Sequence, residues 1–257
     1  MMTETRQDII EASKERFREI VRDNSLQSSS VTIQTKILTP EQAIGNPSRR
    51  DYPIIEGKER VVEAHFLGSR GHAFTDIPMN FVGFLEDVLD LPTDSNQNRA
   101  IYLATLNAVL RHLDLIHGTV HCKNDDPERC ALHIVGHIRD TWGNVVIGLI
   151  GLNPALAEIL VKNFGSDKVH ITDLDRRNIG TKKYGVTVRD GRTRTEELIR
   201  ESDVVLATGT TLGNGSFDTI WDLLQQYQKP HLFYGVTIAG ISRLMEIERI
   251  CPHGTDG

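Results

Sequence analysis

Residues 5–22 place Ile9, Ile10, Phe17, Ile20 and Val21 at helical spacing with charged residues between them, which predicts an amphipathic opening helix. VTIQTKILT then alternates apolar and polar positions and is rich in β-branched residues, and RVVEAHFLG does the same, so both are expected strands. The glycines of LGSRGHAFTD predict a turn or an exposed loop. Residues 80–89 and 99–112 have helical periodicity. This part of the chain therefore reads as a small antiparallel sheet with helices, an α+β arrangement.

The pattern changes after a polar stretch at residues 117–126, HGTVHCKNDD, which Pro127 follows. NVVIGLIG is a continuous apolar run, as expected of a parallel strand buried on both faces. PALAEILVKNF follows as a helix and stops at Gly165. KVHITDLD, YGVTV, DVVLATGT and HLFYGVT are expected strands, the last of them closing the sheet, with helices at residues 195–202 and 216–228. Strands alternating with helices predict a mainly parallel sheet. The chain is thus expected to be α/β overall, divided into residues 1–120 and 121–257.

Composition narrows the function classes. Hydrophobic residues make up 39% and charged residues 25%, enough to bury a core, and the net charge of -6 gives no basic footprint for nucleic acid. No apolar run has signal-peptide character or the length to cross a bilayer, so no membrane partner is expected. Three cysteines argue against a disulfide framework and for a reducing, cytoplasmic setting.

Ligands of open parallel sheets bind beyond the carboxyl ends of the strands. Three such ends carry candidates for a nucleotide-like or other polar cofactor. Gly151 and Asn153 precede a helix that Asn153 caps and Pro154 starts, although Gly148 and Gly151 do not make a GxGxxG clamp. Asp173 and Asp175 stand where an acidic residue bonds a ribose hydroxyl, or are neutralised by Arg176 and Arg177 as a solvated loop. Thr208, Thr210, Thr211 and Asn214 belong to a loop dense in glycine and hydroxyls that ends at Ser216, an expected N-cap. In the first part, Lys58 (with Glu59 beside it), Arg70, His72, Thr75 and Asp76 are expected in or beside loops that close over that sheet edge. Asn107, amid apolar neighbours, needs buried partners and is expected to fix the face between the two parts.

HCKNDDPERCALHIVGH gathers soft ligands: His121, Cys122, Cys130, His133 and His137, with Cys251 and His253 near the end of the chain. Cys130, His133 and His137 fall along one side of a predicted helix, but the spacing is neither a CxxC knuckle nor HExxH. Cys122 and His121 are the stronger metal candidates, Cys130 a weaker one. Thiolate with imidazole suits zinc, nickel, copper or iron. The alternative is that Cys130 is a small buried apolar group and the histidines face solvent.

GNPSRRDYPIIEGKE, HAFTD, LNAV, TVHCKNDDPERC, GLIGLNPAL and ATGTTLGNG together resemble the heavy-metal-chelation family, from about Ile33 to His253. The resemblance implies an enolase-N-terminal-like domain followed by a Rossmann-like domain, with a cleft between them for a small-molecule or metal ligand. A metal-binding protein is one expectation; an enzyme using a nucleotide-like cofactor such as S-adenosylmethionine is the other. Homo-oligomerisation is left open.

Overall fold

Asp8 accepts hydrogen bonds from the Ile10 and Glu11 amides and so starts helix α1 (Ile9–Asp23). The computed structural model describes residues 8–26 and 32–256, so the first residues of the expected opening helix and Val31 of the first expected strand lie outside the described residues. β1 (Thr32–Leu38), α2 (Pro40–Ile44), β2 (Arg60–Phe66), β3 (Ser69–Thr75), β4 (Phe81–Phe84), α3 (Leu85–Leu89) and α4 (Asn96–His112) follow. The four strands form one antiparallel sheet in the order β3-β2-β1-β4.

Residues 67–76 take the turn expected of them and not the open loop: Leu67 and Gly68, both with positive φ, make a tight hairpin turn, and β3 pairs with β2 along its whole length. Gly71 is a glycine because α4 passes over it; a Cβ there would lie 2.3 Å from the Ala104 carbonyl oxygen and 2.4 Å from the Ala108 nitrogen. Residues 80–89 are not the one helix expected. Their first half pairs with β1 as β4, and only after Phe84, whose amide donates to Asp87, does the chain turn helical.

α4 is buried on every side from Ala100 to Leu110, because one face packs on β2 and β3 while the other meets the second half of the chain. That half begins with α5 (Asp126–Trp142) and runs through β5 (Ile147–Ile150), α6 (Pro154–Phe164), β6 (Val169–Asp173), β7 (Lys182–Lys183), β8 (Val186–Asp190), α7 (Thr195–Glu201), β9 (Val204–Thr208), α8 (Thr210–Gly213), α9 (Phe217–Gln226), β10 (His231–Tyr234), α10 (Ala239–Met245) and β11 (Arg249–Ile250). Its seven strands are ordered β11-β10-β9-β5-β6-β8-β7 and pair parallel except for β7 with β8. β10 is therefore not the last strand. β11 is only two residues long and shows no pattern of its own.

From β5 the chain winds outward to β6 and β8, then returns to place β9 on the other side of β5. Strand order reverses between β5 and β9, the point at which open sheets of this kind form a crevice. The two halves share their interior. One apolar cluster joins Phe66 and Leu106 to Phe217, Phe233 and Ile241, and another joins Tyr52 and Ile54 to Ile134, Leu149 and Leu160. Asn107 stitches them together: its amide donates to the carbonyls of His72 (2.9 Å) and Val236 (3.0 Å), and its oxygen accepts the Gly240 amide (2.7 Å). No helix among the described residues is long and apolar enough to cross a membrane.

Candidate functional site

The carboxyl ends of β5, β6 and β9 open into a cavity of about 990 Å³ whose opposite wall comes from the first half of the chain. Gly151 ends β5 at φ 85°, a conformation that favours glycine, and a Cβ there would strike the Thr208 methyl at 2.5 Å. β5 and β9 can therefore release their chains side by side at the reversal point. The Gly151 amide donates to Thr172 and the Tyr234 hydroxyl to the Gly151 carbonyl, which fixes this rim. Asn153 caps α6 by accepting the Leu156 amide, with Pro154 in the first turn, as its sequence predicts.

Asp173 and Asp175 line the same cavity. Both Asp173 oxygens are engaged, one accepting the Leu152 amide (2.8 Å) and the other the Asp175 amide (2.6 Å), so this carboxylate ties β6 to the loop after β5. Asp175 receives Lys58 from the opposite wall at 2.7 Å and Arg177 at 3.1 Å. Against the upward push of partial burial, these cations hold its carboxyl down at about 2. Lys58 thus bridges the cavity's two walls. Thr75 and Asp76 stand near it, Asp76 accepting the Asn96 side-chain amide at 2.7 Å.

Glu59 is the residue that sequence reasoning passed over, as no more than the neighbour of Lys58. It lines the cavity near Asp173 and Asp76, and burial followed by those two negative charges raises its carboxyl from 4.5 to about 7. Tyr234 and Thr237 also line the wall; their places at the end of β10 and just beyond it were the available signal.

Thr208, Thr210, Thr211 and Asn214 all reach the cavity, but the segment is not an open glycine loop. It folds into the short helix α8, with the Thr210 hydroxyl donating to the Thr208 hydroxyl and the Thr211 hydroxyl to the Thr208 carbonyl. Its glycines have packing reasons. A Cβ on Gly209 would meet Ile238, one on Gly213 the Phe74 carbonyl, and one on Gly215 the Arg99 guanidinium. Ser216 stands at the N-cap of α9, yet its hydroxyl donates to Asn214 and caps nothing.

The thiols lie near one another. Cys122, Cys130 and Cys251, all free, line the cavity with His121. His121 Nδ1 lies 2.6 Å from the Cys122 carbonyl, which can only accept, so the proton sits on Nδ1 and Nε2 keeps its lone pair. Burial pulls this imidazole down to about 4. Burial likewise pushes Cys122 far up and Cys130 up to about 12, with neighbouring thiols adding to both shifts, so thiols rather than thiolates face the cavity. His133 instead points to solvent, stacked on His253 with ring nitrogens 3.0 Å apart, and His137 packs edge-on against Trp142. The set along α5 therefore diverges. Among the described residues no three His, Cys, Asp or Glu side chains converge as metal ligands, so these residues do not form a closed metal centre by themselves.

Arg70 and His72 lie elsewhere. Because 69–75 is a strand, both sit on the face of β3 turned away from α4, beside Glu63, and neither lines the large cavity or supplies charge to Cys122.

Residues 137–243 match the DUF364 family, described as "Putative heavy-metal chelation". That segment carries the parallel sheet from β5 to β10. The motifs GNPSRRDYPIIEGKE, HAFTD and TVHCKNDDPERC fall before it. Two solved structures of DUF364 proteins with unknown function are similar. The one from Pyrococcus horikoshii is 12% identical, over 89% of this chain and 79% of that chain, with a TM-score of 0.49. The one from Desulfitobacterium hafniense DCB-2 is 15% identical, over 76% and 73%, with a TM-score of 0.46. No match is found among curated proteins.

Proposed function

We propose that the chain binds a metal-bearing small molecule in the cleft between its two parts, the ligand bringing most of the metal's donors itself. The observation that carries this reading is the cavity's size and lining. A volume of about 990 Å³ suits a small organic ligand and is far too large for a bare ion. Its lining includes carboxylates (Glu59, Asp76, Asp173), with Lys58 and Arg177 among them, and a soft set (His121, Cys122, Cys130, Cys251), and no three of these side chains converge as metal ligands among the described residues. The lone pair of His121 Nε2 and the sulfur of Cys122, which would release its proton to solvent on binding, are the donors proposed to complete the coordination of a chelated soft metal such as nickel, zinc or copper(I). The carboxylates would hold a cationic part of the ligand. The family description agrees with this reading, and the three free cysteines agree with a reducing, cytoplasmic setting.

A second reading is a nucleotide-like cofactor on the Rossmann-like edge. It is favoured by the contact of Gly151 with Thr208 at the strand-order reversal and by the position of Asp173 after β6. The engagement of both Asp173 oxygens by backbone amides weighs against it.

Melting curves separate the two. With a nickel–histidine complex the native protein is expected to gain stability and Cys122→Ser to gain less, while the nickel aqua ion alone gives little. A shift with S-adenosylmethionine or an adenine nucleotide, and none with the nickel complex, would replace the first reading by the second.

A further inference from the structure

A second cavity, of about 420 Å³, shares no residue with the large one and lies on the face of the antiparallel sheet turned away from α4. Its floor is a cross-strand row in which Lys36 on β1, Glu63 on β2 and His72 on β3 stand directly opposite one another. Arg70 from β3, Gln42 from α2, Lys123 and Thr255 complete the walls.

Glu63 is only 2% exposed and organises this row. His72 donates from Nε2 at 2.8 Å, His65 approaches at 2.8 Å and Lys36 at 2.7 Å, so both carboxylate oxygens are engaged. Burial alone would raise this carboxyl, but the hydrogen bonds from His72 and Lys36 hold it far below the usual carboxylate range. His72 remains neutral, since its Nδ1 accepts the His121 amide at 3.2 Å and burial disfavours a second proton. The charge balance is therefore three cations, Lys36, Arg70 and Lys123, against one carboxylate.

Two of those cations have capacity to spare. Arg70 reaches Glu63 through a single nitrogen at 3.5 Å, too long for a good hydrogen bond. Lys123 is exposed and has no ion pair among the described residues. The nearby Asp256 cannot neutralise them, being tied to Arg111, His117 and the Gly118 amide.

We infer that this pocket binds a small molecule through a phosphate or carboxylate group held by Arg70 and Lys123, with Lys36 at its edge. The planar guanidinium, open on its other nitrogens, offers the paired donors that such oxyanions take, and the lysine adds a point charge from the other wall. Glu63 serves as the fixed anchor that spaces the cations.

Calorimetric titration of the full chain with inorganic phosphate, and separately with succinate, at ionic strength matched by sodium chloride, tests this. At least one anion is expected to bind at a single site. Arg70→Gln and Lys123→Gln should each weaken it about tenfold, the loss of one charge-assisted hydrogen bond. Lys182→Gln, on an exposed lysine of β7, should leave it unchanged. Tighter phosphate binding would assign a phosphoryl ligand and tighter succinate binding a carboxylate. Absence of binding by both anions, or equal affinity in Lys123→Gln and native protein, would overturn the proposal. Lys123→Gln removes an exposed side chain with no ion pair among the described residues, so it carries the test even if Arg70→Gln fails to fold.

Discussion

Replacing Glu59 by glutamine removes a carboxyl whose protonated form the cavity favours. Burial, Asp173 and Asp76 raise it from 4.5 to about 7, so the folded chain holds this proton more tightly than the unfolded chain does. The sign follows from linkage: the group's contribution to stability is fully present below about pH 4.5 and is lost as pH rises through 7. At about 1.4 kcal/mol per pH unit the loss amounts to roughly 3 kcal/mol, and water entering the cavity reduces it toward about 1 kcal/mol. His121 and His72 are shifted downward and titrate with the opposite sign, so the diagnostic quantity is the difference between variant and native protein, in which they cancel. Urea unfolding followed by the fluorescence of Trp142 and Trp221 at pH 5, 6, 7 and 8 measures it. Glu59→Gln should gain on the native protein by about 1–3 kcal/mol across that range and level off above pH 8. Parallel stability curves would show that Glu59 titrates as an ordinary solvated carboxylate and would refute the picture of an acidic, water-poor stretch of the cavity.

Other outcomes follow from particular contacts. Asn107→Leu leaves the Gly240 amide and the His72 and Val236 carbonyls without their buried partner, and should cost about 3 kcal/mol in urea unfolding. Gly71→Ala forces a methyl into the backbone of α4 and should cost about 3 kcal/mol by the same measurement, whereas an unchanged midpoint would contradict the close approach. Cys122, 5% exposed and held as a thiol, should react with a disulfide reagent at pH 7.5 far more slowly in the native protein than in urea, as followed by peptide mass mapping.

How much of this was legible in the sequence depends on whether the cause was local. The strands β5, β6 and β9 announce themselves as apolar runs because both faces are covered, and α6 is bounded by its own Asn153, Pro154 and Gly165. β3 was hidden because its glycine serves a helix packed above it, and a glycine that permits close approach looks the same in sequence as one that permits a turn. The grouping of Gly151, Asp173 and Thr208 at one sheet edge could be read from the alternation of strands and helices, because parallel strands end at one edge. The importance of Glu59 could not, since it comes from Asp76 and Asp173 on other elements. Whether Cys130, His133 and His137 come together could not be read either, for a similar reason. They share one side of α5 but are spread over about 10 Å of its axis, and the C-terminal segment pairs His133 with His253, away from the cavity that Cys130 lines.

Native mass spectrometry combined with elemental analysis, on protein purified without a histidine tag, shows whether the cleft holds a metal-bearing small molecule. The expected result is an adduct heavier than any single ion, containing one soft metal and released as an intact complex on unfolding, with reduced occupancy in Cys122→Ser. A bare metal ion held in stoichiometric amount by the polypeptide alone, or a metal-free nucleotide in its place, would contradict it.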